Sequence, residues 1–343
     1  MIEGLSKGIL ERLKQEIDPF DTILGQSNEK EKVLASLLAD HHLILEGPPG
    51  IGKTTMAKQV ASMLPAIEVV QGCAFRCHPE HPVCPSCRVE FDKGVKLPSE
   101  MLPGSKRFLR IQGSPDLTTE DLLGDIDPTM AFKFGPQDYR AFTPGKLLRG
   151  NRGIIFFDEL NRVTEKLQNA LLQVLEEGTA TIGAYEVDYQ AKFIMIATMN
   201  PTESTGAEEL SEVLMDRFDV VFLNYPENDE IEKEIIVKYG NKFEEITVPE
   251  NILDKIVRIV RATRRKPWSD ELERGLSVRA GISLYEKVQA LTLMRGESEV
   301  KQTDIKRMAI SSMVGRLKVG PDSKYYNNES KFLNELLKIE IGV

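Results

Sequence analysis

The chain has 343 residues, a formal net charge of -9, and 41% hydrophobic against 28% charged side chains, which is room for two domains and a substantial core in an ordinary globular composition. The acidic balance argues against broad nonspecific binding to nucleic acid, although a local basic stripe stays open. No stretch approaches the roughly 18 apolar residues of a membrane span, and the opening MIEGLSKGILERLKQEIDPF is charged and amphipathic rather than a secretory leader, so a cytoplasmic location is the expectation.

Residues 3–17 alternate apolar and charged positions at helical spacing until Asp18-Pro19-Phe20 breaks the pattern. A turn at Gly25 and a helix from about Asn28 then lead into HHLILEGPPGIGKTTMAKQVASML, where an apolar strand meets a glycine turn and a helical pattern. Gly47, Gly52, Lys53 and Thr54 fill GxxxxGK[ST], the phosphate-binding loop. Pro48, Pro49, Gly50, Ile51 and Thr55 complete a cradle whose backbone N–H groups face an anion. In such a loop Lys53 reaches the β- and γ-phosphates and the Thr54 hydroxyl ligates magnesium. The helix that follows adds the positive end of its dipole. The segment just before the loop can fold over a nucleotide base or serve as a plain packing helix.

All four cysteines, Cys73, Cys77, Cys84 and Cys87, fall in CAFRCHPEHPVCPSC with C-x3-C and C-x2-C spacing. Four thiolates so spaced can close a tetrahedral zinc site, and the prolines suit a small knuckle rather than a helix or strand. His78 or His81 can replace one cysteine; a redox-active or merely reduced cluster is the alternative. From Arg107 to Gly153 a strand and turn give way to a long insertion bearing Phe132, Phe134, Tyr139 and Phe142, which suits a projecting hairpin with short helical pieces.

GIIFFDEL, Gly153–Leu160, is an apolar run ending in two carboxylates, as expected of a central parallel strand buried on both faces. Ligands bind beyond the carboxyl ends of such strands. There Asp158 can hold magnesium through its water shell and Glu159 can polarise the attacking water. A helix is predicted over Glu165–Glu177, a hairpin over TATIGAYEVDYQAKF, and a further buried strand ending in Asn200. The Asn200 amide can bond the lytic water or γ-phosphate, or simply form a turn before Pro201. Arg217, near a helix end, is either a surface ion pair or a finger acting in a neighbouring subunit's site.

The Pro-containing break NYPEND divides the chain into residues 1–228, an α/β nucleotide core with a cysteine insert at 72–90, and residues 229–343, a helical lid without strand alternation. Arg258, Arg261, Arg264, Arg265 and Lys266, followed by Trp268, form a stripe read as a solvated or acid-paired face rather than a nucleic-acid patch. Arg279, opening a helix in GLSVRAGISL, is a candidate to swing onto the nucleotide phosphates.

In this order the motifs resemble the AAA+ ATPases over almost the whole chain. Within them IQGSPDLTTEDLLGDIDP, FFDELNR, LLQVLEEG, IATMNP, LMDRFD and GLSVRA look like the MoxR and magnesium-chelatase I-subunit group. The resemblance implies a parallel-sheet P-loop NTPase core with an α-helical lid, ATP and magnesium as ligands, and ATP hydrolysis. By the same match Asp116–Leu148 is the helix-2 insert and Thr179–Gln190 the pre-sensor-1 hairpin. Lys53 and Thr54 belong to Walker A, Asp158 and Glu159 to Walker B, Asn200 to sensor 1, Arg217 to the arginine finger and Arg279 to sensor 2. GCAFRCHPEHPVCPSCR is similar to a stretch of magnesium-chelatase I subunits, whereas DELNR is nearer MoxR.

The resemblance further implies a homo-oligomeric ring, expected to be hexameric, with nucleotide between core and lid. It implies a protein partner carrying a von Willebrand A domain, and work that is either partner remodelling or metal insertion. A nucleic-acid-stimulated, helicase-like motor is the alternative, supported by the basic lid stripe alone; a nucleotide-dependent scaffold without turnover is a third reading.

Overall fold

A computed structural model of the chain describes residues 2–182, 187–199 and 209–342. They fall into two compact units. The first holds the chain to Ile23, Ser27–Gly47 and Gly52–Leu223; the second holds Leu24–Gln26, Pro48–Ile51 and the chain from Asn224 onward.

In the first unit, helices α1 (Leu5–Lys14) and α2 (Ser27–Leu38) precede strand β1 (His42–Glu46), and the phosphate-binding loop runs from β1 into α3 (Lys53–Ser62). The cysteine segment lies between β2 (Ile67–Val70) and β3 (Ser99–Leu102), which pair antiparallel. It also contains a helix, α4 (Pro85–Asp92), so the expectation of a knuckle without helix or strand is corrected. Cys84 caps that helix by accepting from the Cys87 amide, and Pro85 occupies its first turn, where a missing N–H does no harm.

Strand β4 (Phe108–Gln112) leads to the insertion: α5 (Thr119–Leu123), β5 (Gly124–Ile126), α6 (Pro128–Phe134), β6 (Phe142–Pro144) and α7 (Lys146–Arg149). Here β5 and β6 pair as an antiparallel hairpin with α6 within its connection. A Thr118–Asp121 capping box starts α5 and the Asp127 carboxylate starts α6. Then follow β7 (Gly153–Asp158), α8 (Glu165–Glu177), the antiparallel pair β8 (Thr179–Ile182) and β9 (Val187–Gln190), β10 (Phe193–Met199), α9 (Glu212–Met215) and β11 (Phe218–Phe222).

The central sheet has the order β11-β1-β10-β7-β4, and every neighbouring pair is parallel. Strands β7 and β10 are buried along nearly their whole length, as continuous apolar runs must be when helices cover both faces.

The second unit carries α10 (Asp229–Tyr239), α11 (Glu250–Ala262), β12 (Leu272–Arg274), α12 (Val278–Met294), α13 (Gln302–Met313), β13 (Lys318–Val319) and α14 (Glu329–Ile341). Its core gathers Ile256 and Val260 of α11, Leu284 and Val288 of α12, and Phe332 and Leu336 of α14. The β12–β13 pair corrects the expectation of a strand-free region; strands of three and two residues are too short to show alternation. The basic stripe is acid-paired. Arg264 grips buried Glu232 with two bonds of 2.9 Å, and Arg261 meets Glu232 at 3.2 Å and Asp229 at 2.6 Å.

Gly153 opens β7 where a Cβ would lie 2.2 Å from the Arg107 carbonyl oxygen. Gly153→Ala should therefore cost about 2 kcal/mol or more in denaturant unfolding, as for other overpacked positions. Gly315→Ala, where no atom of the described residues lies within 4 Å of the new methyl, should change stability by under about 0.5 kcal/mol. Equal losses at both positions would contradict the packing described.

Candidate active site

The parallel sheet places two chemically distinct groups on one edge. Glu46 at the end of β1 pairs with Met199 of β10, and Ala197 of β10 pairs with Phe157 of β7. The phosphate-binding loop and Asp158 therefore leave the same edge with one strand between them, roughly 10 Å apart at ordinary strand spacing. That gap suits a hydrated divalent cation and a triphosphate.

Gly47, Gly50 and Gly52 all have positive φ, of 152°, 82° and 99°, a backbone path that side chains with a Cβ resist. At Gly50 a Cβ would also meet the Arg279 Cγ and Cδ at 3.1 Å and the Ser277 Oγ at 3.2 Å, all within the second unit. The side chain expected to sense the phosphates thus lies against the loop tip. Gln26 donates to the Ile51 carbonyl at 3.4 Å, so the segment before the loop also contacts it. Gly52 precedes α3 without a side-chain cap, leaving the N-terminal amides of that ten-residue helix available to an anion. Lys53 is buried and its ammonium donates to the Gly47 carbonyl. Thr54 follows as the second residue of α3.

The two acids are held by residues that the sequence reading did not single out. Asp158 Oδ1 accepts from the Thr198 hydroxyl at 2.7 Å, and that hydroxyl in turn accepts from the Glu159 amide at 2.9 Å. Arg110 meets Asp158 Oδ2 at 2.5 Å. Glu159 adopts the left-handed conformation, φ 59° and ψ 55°, and its Oε2 accepts from Gln112 and Arg162, each at 3.0 Å. A non-glycine residue in that region carries strain that the surroundings must hold, and such residues concentrate at functional sites. One sequence signal existed: Arg110 and Gln112 sit two apart on β4 and share a face beside the acid strand.

Asn200 lies outside the described residues. Arg217 stands apart from the loop: it immediately precedes Phe218, which pairs with His42 at the start of β1, and its guanidinium meets Glu176 at 3.2 Å. The phosphate loop leaves the other end of β1.

The four cysteine sulfurs lie within 4.8 Å of one another and none is in a disulfide. Cys73 and Cys84 sulfurs are 3.8 Å apart, which matches the about 3.8 Å edge of a tetrahedron built on Zn–S bonds of ~2.3 Å. The Val83 and Cys84 amides both donate to Cys77 Sγ at 3.3 Å. Contact with Cys77 and Cys84 draws the Cys73 thiol well below its usual range, contact with Cys73 pushes Cys77 and Cys84 up, and burial pushes Cys87 up to about 12. One thiolate thus forms at the expense of the others unless a cation neutralises the set. All-sulfur donors in this arrangement fit zinc, whereas the oxygen donors Thr54 and Asp158 fit magnesium.

Two family models match the chain: magnesium chelatase, subunit ChlI, over residues 19–75, and the ATPase family associated with various cellular activities (AAA) over residues 97–220. Among curated proteins, a magnesium-chelatase subunit ChlI homolog of Methanocaldococcus jannaschii is 26% identical, covering 93% of this chain and 90% of that protein. Chaperone MoxR1 of Mycobacterium tuberculosis is 28% identical, covering 88% of this chain and 74% of its own. Magnesium-chelatase subunit ChlI of Mesostigma viride reaches 32% identity over 62% of this chain and 58% of its own. Among solved structures, a mutant of Thermotoga maritima RuvB aligns with a TM-score of 0.50 at 18% identity, covering 86% of this chain and 71% of that one, a likeness of fold.

If Asp158 holds a cation, that cation competes with Arg110. The pair is half-exposed on the arginine side, so its strength is about 1 kcal/mol. Arg110→Gln should lower the magnesium concentration for half-maximal ATPase activity by about fivefold; an unchanged or raised requirement would show that Arg110 does not restrain Asp158.

Proposed function

Because the chain belongs to the AAA+ ATPases of the MoxR and magnesium-chelatase I-subunit group, we propose that it hydrolyses ATP as one subunit of a homo-oligomeric ring and spends the energy on remodelling a partner protein. The second unit is its lid. The observation that carries the ring is the placement of Arg217. This cation sits at the start of β11, one strand length from the loop, roughly 16 Å for five residues at ~3.3 Å each. An arginine so placed does not reach a phosphate on its own loop, and a neighbouring subunit's nucleotide is the natural target.

In this reading the loop amides of residues 47–52 and the α3 N-terminus bind the phosphates, and Lys53 supplies a fixed charge. Thr54 and Asp158 hold magnesium, which when bound neutralises charge on the β- and γ-phosphate oxygens. Glu159 is the group that takes the proton from the attacking water, after release from Gln112 and Arg162. Asn200 aligns that water, Arg279 contacts the phosphates from the lid, and Arg217 completes the neighbour's site. The four cysteines hold a structural zinc.

A partner with a von Willebrand A domain is the type we expect, with metal insertion one task such a partner can carry. A hexamer is the ring size we favour. The nucleic-acid reading gains nothing from the lid stripe, because Arg261 and Arg264 are committed to Glu232. No helix among the described residues is long and apolar enough to cross a membrane, and a cytoplasmic location is the one we expect.

Arg217→Ala should leave ATP binding within about threefold of wild type while lowering turnover at least ~10³-fold, the lower end of what arginine fingers contribute. Titrated into wild-type protein it should depress activity more than in proportion to its share. Strictly proportional loss would exclude the trans assignment. Glu159→Gln should retain ATP without hydrolysing it, read as ATP rather than ADP recovered from the protein after gel filtration.

A further inference from the structure

The cysteine segment is joined to both hairpins of the first unit. Phe75, lying between Cys73 and Cys77, stacks on Tyr189 of β9 with ring centroids 5.4 Å apart. Tyr189 stacks in turn on Phe142 of β6 at 4.9 Å, and Phe75 and Phe142 close the triangle at 6.4 Å. One ring comes from the cysteine segment, one from the hairpin of 179–190 and one from the β5–β6 hairpin of the insertion. Phe75 and Tyr189 are buried, so this triangle is a small core of its own.

Polar links run beside it. The buried Asn151 side chain donates to the Phe75 carbonyl at 2.9 Å and accepts from the Lys192 amide, just beyond β9, at 2.9 Å. Arg152 donates through its guanidinium to the Arg76 carbonyl at 2.9 Å and through its backbone to the Lys192 carbonyl at 2.6 Å. Asn151 and Arg152 run directly into β7, the strand that ends in Asp158. The insertion on the far side exposes Phe132 almost completely, at 96%.

We propose that the cysteine knuckle is the anchor for the β5–β6 and β8–β9 pairs, so that metal bound by the four sulfurs fixes where those strands lie. This rests on the reading of the cysteines as zinc ligands. Phe75, Tyr189 and Asn151 are positioning residues that transmit the order of the knuckle outward. The metal closes a segment whose four sulfurs already lie within 4.8 Å of one another, and the aromatic triangle carries that rigidity to β6 and β9.

The test uses the full chain as purified. Elemental analysis should return one zinc per chain. Hydrogen exchange is then followed with and without a zinc chelator. Chelation should speed exchange about tenfold or more over residues 72–92, 124–144, 179–182 and 187–190, while residues 42–62 stay protected and ADP binding changes by less than ~threefold. Phe75→Ala, which retains every cysteine, should keep its zinc yet speed exchange in 124–144, 179–182 and 187–190. If chelation or Phe75→Ala loosens only 72–92, the coupling is wrong while the zinc reading stands. If the protein carries no metal and all four thiols react freely, the zinc reading fails and with it the proposed control by metal; Phe75→Ala then decides on its own whether the knuckle anchors the hairpins.

Discussion

Parallel pairing of β1, β10 and β7 in fixed register is the constraint on which the nucleotide edge depends. It brings a phosphate-binding loop and an acidic pair, more than a hundred residues apart in the chain, to one line of strand ends. Thr198, near the end of the intervening strand, ties that line together by donating to Asp158 and accepting from the Glu159 amide. A slip of one residue in β10 would turn this hydroxyl to the other face of the sheet and leave both acids without their common partner.

The acids are restrained as well as aligned. Arg110 and Gln112 reach across from β4, and Arg162 reaches back from the turn after β7. In the proposed mechanism Glu159 must be released from both Gln112 and Arg162; movement of β4 would free it from Gln112, whereas Arg162 lies on the turn after β7. β4 opens directly into the insertion, so the insertion has a short covalent route to the residues that hold the acids.

What the sequence made readable, and what it did not, follows from the range of the interactions. The phosphate loop, the acid-terminated strand, the α8 helix and the hairpin of 179–190 are each written in contiguous residues, and their periodicity or spacing suffices. Arg110 contacts Asp158 across a separation of 48 positions, and no local pattern announces which strand will lie beside β7. The β12 and β13 strands escaped because so few residues carry no period. The α4 helix was readable in principle: Cys84 followed by Pro85 has the form of a cap and first turn, but the metal-ligand spacing drew the reading toward an irregular loop. The acid-paired lid stripe was anticipated, although its partner Glu232 lies a helix away in the chain.

The central claim is that hydrolysis occurs at a site completed by a second copy of the chain. Specific ATPase activity measured across a dilution series, with assembly state followed by mass photometry in the same samples, tests it most directly. Activity per chain should rise and fall with the assembled fraction and approach zero where single chains predominate. Constant activity per chain down to fully monomeric protein would contradict it.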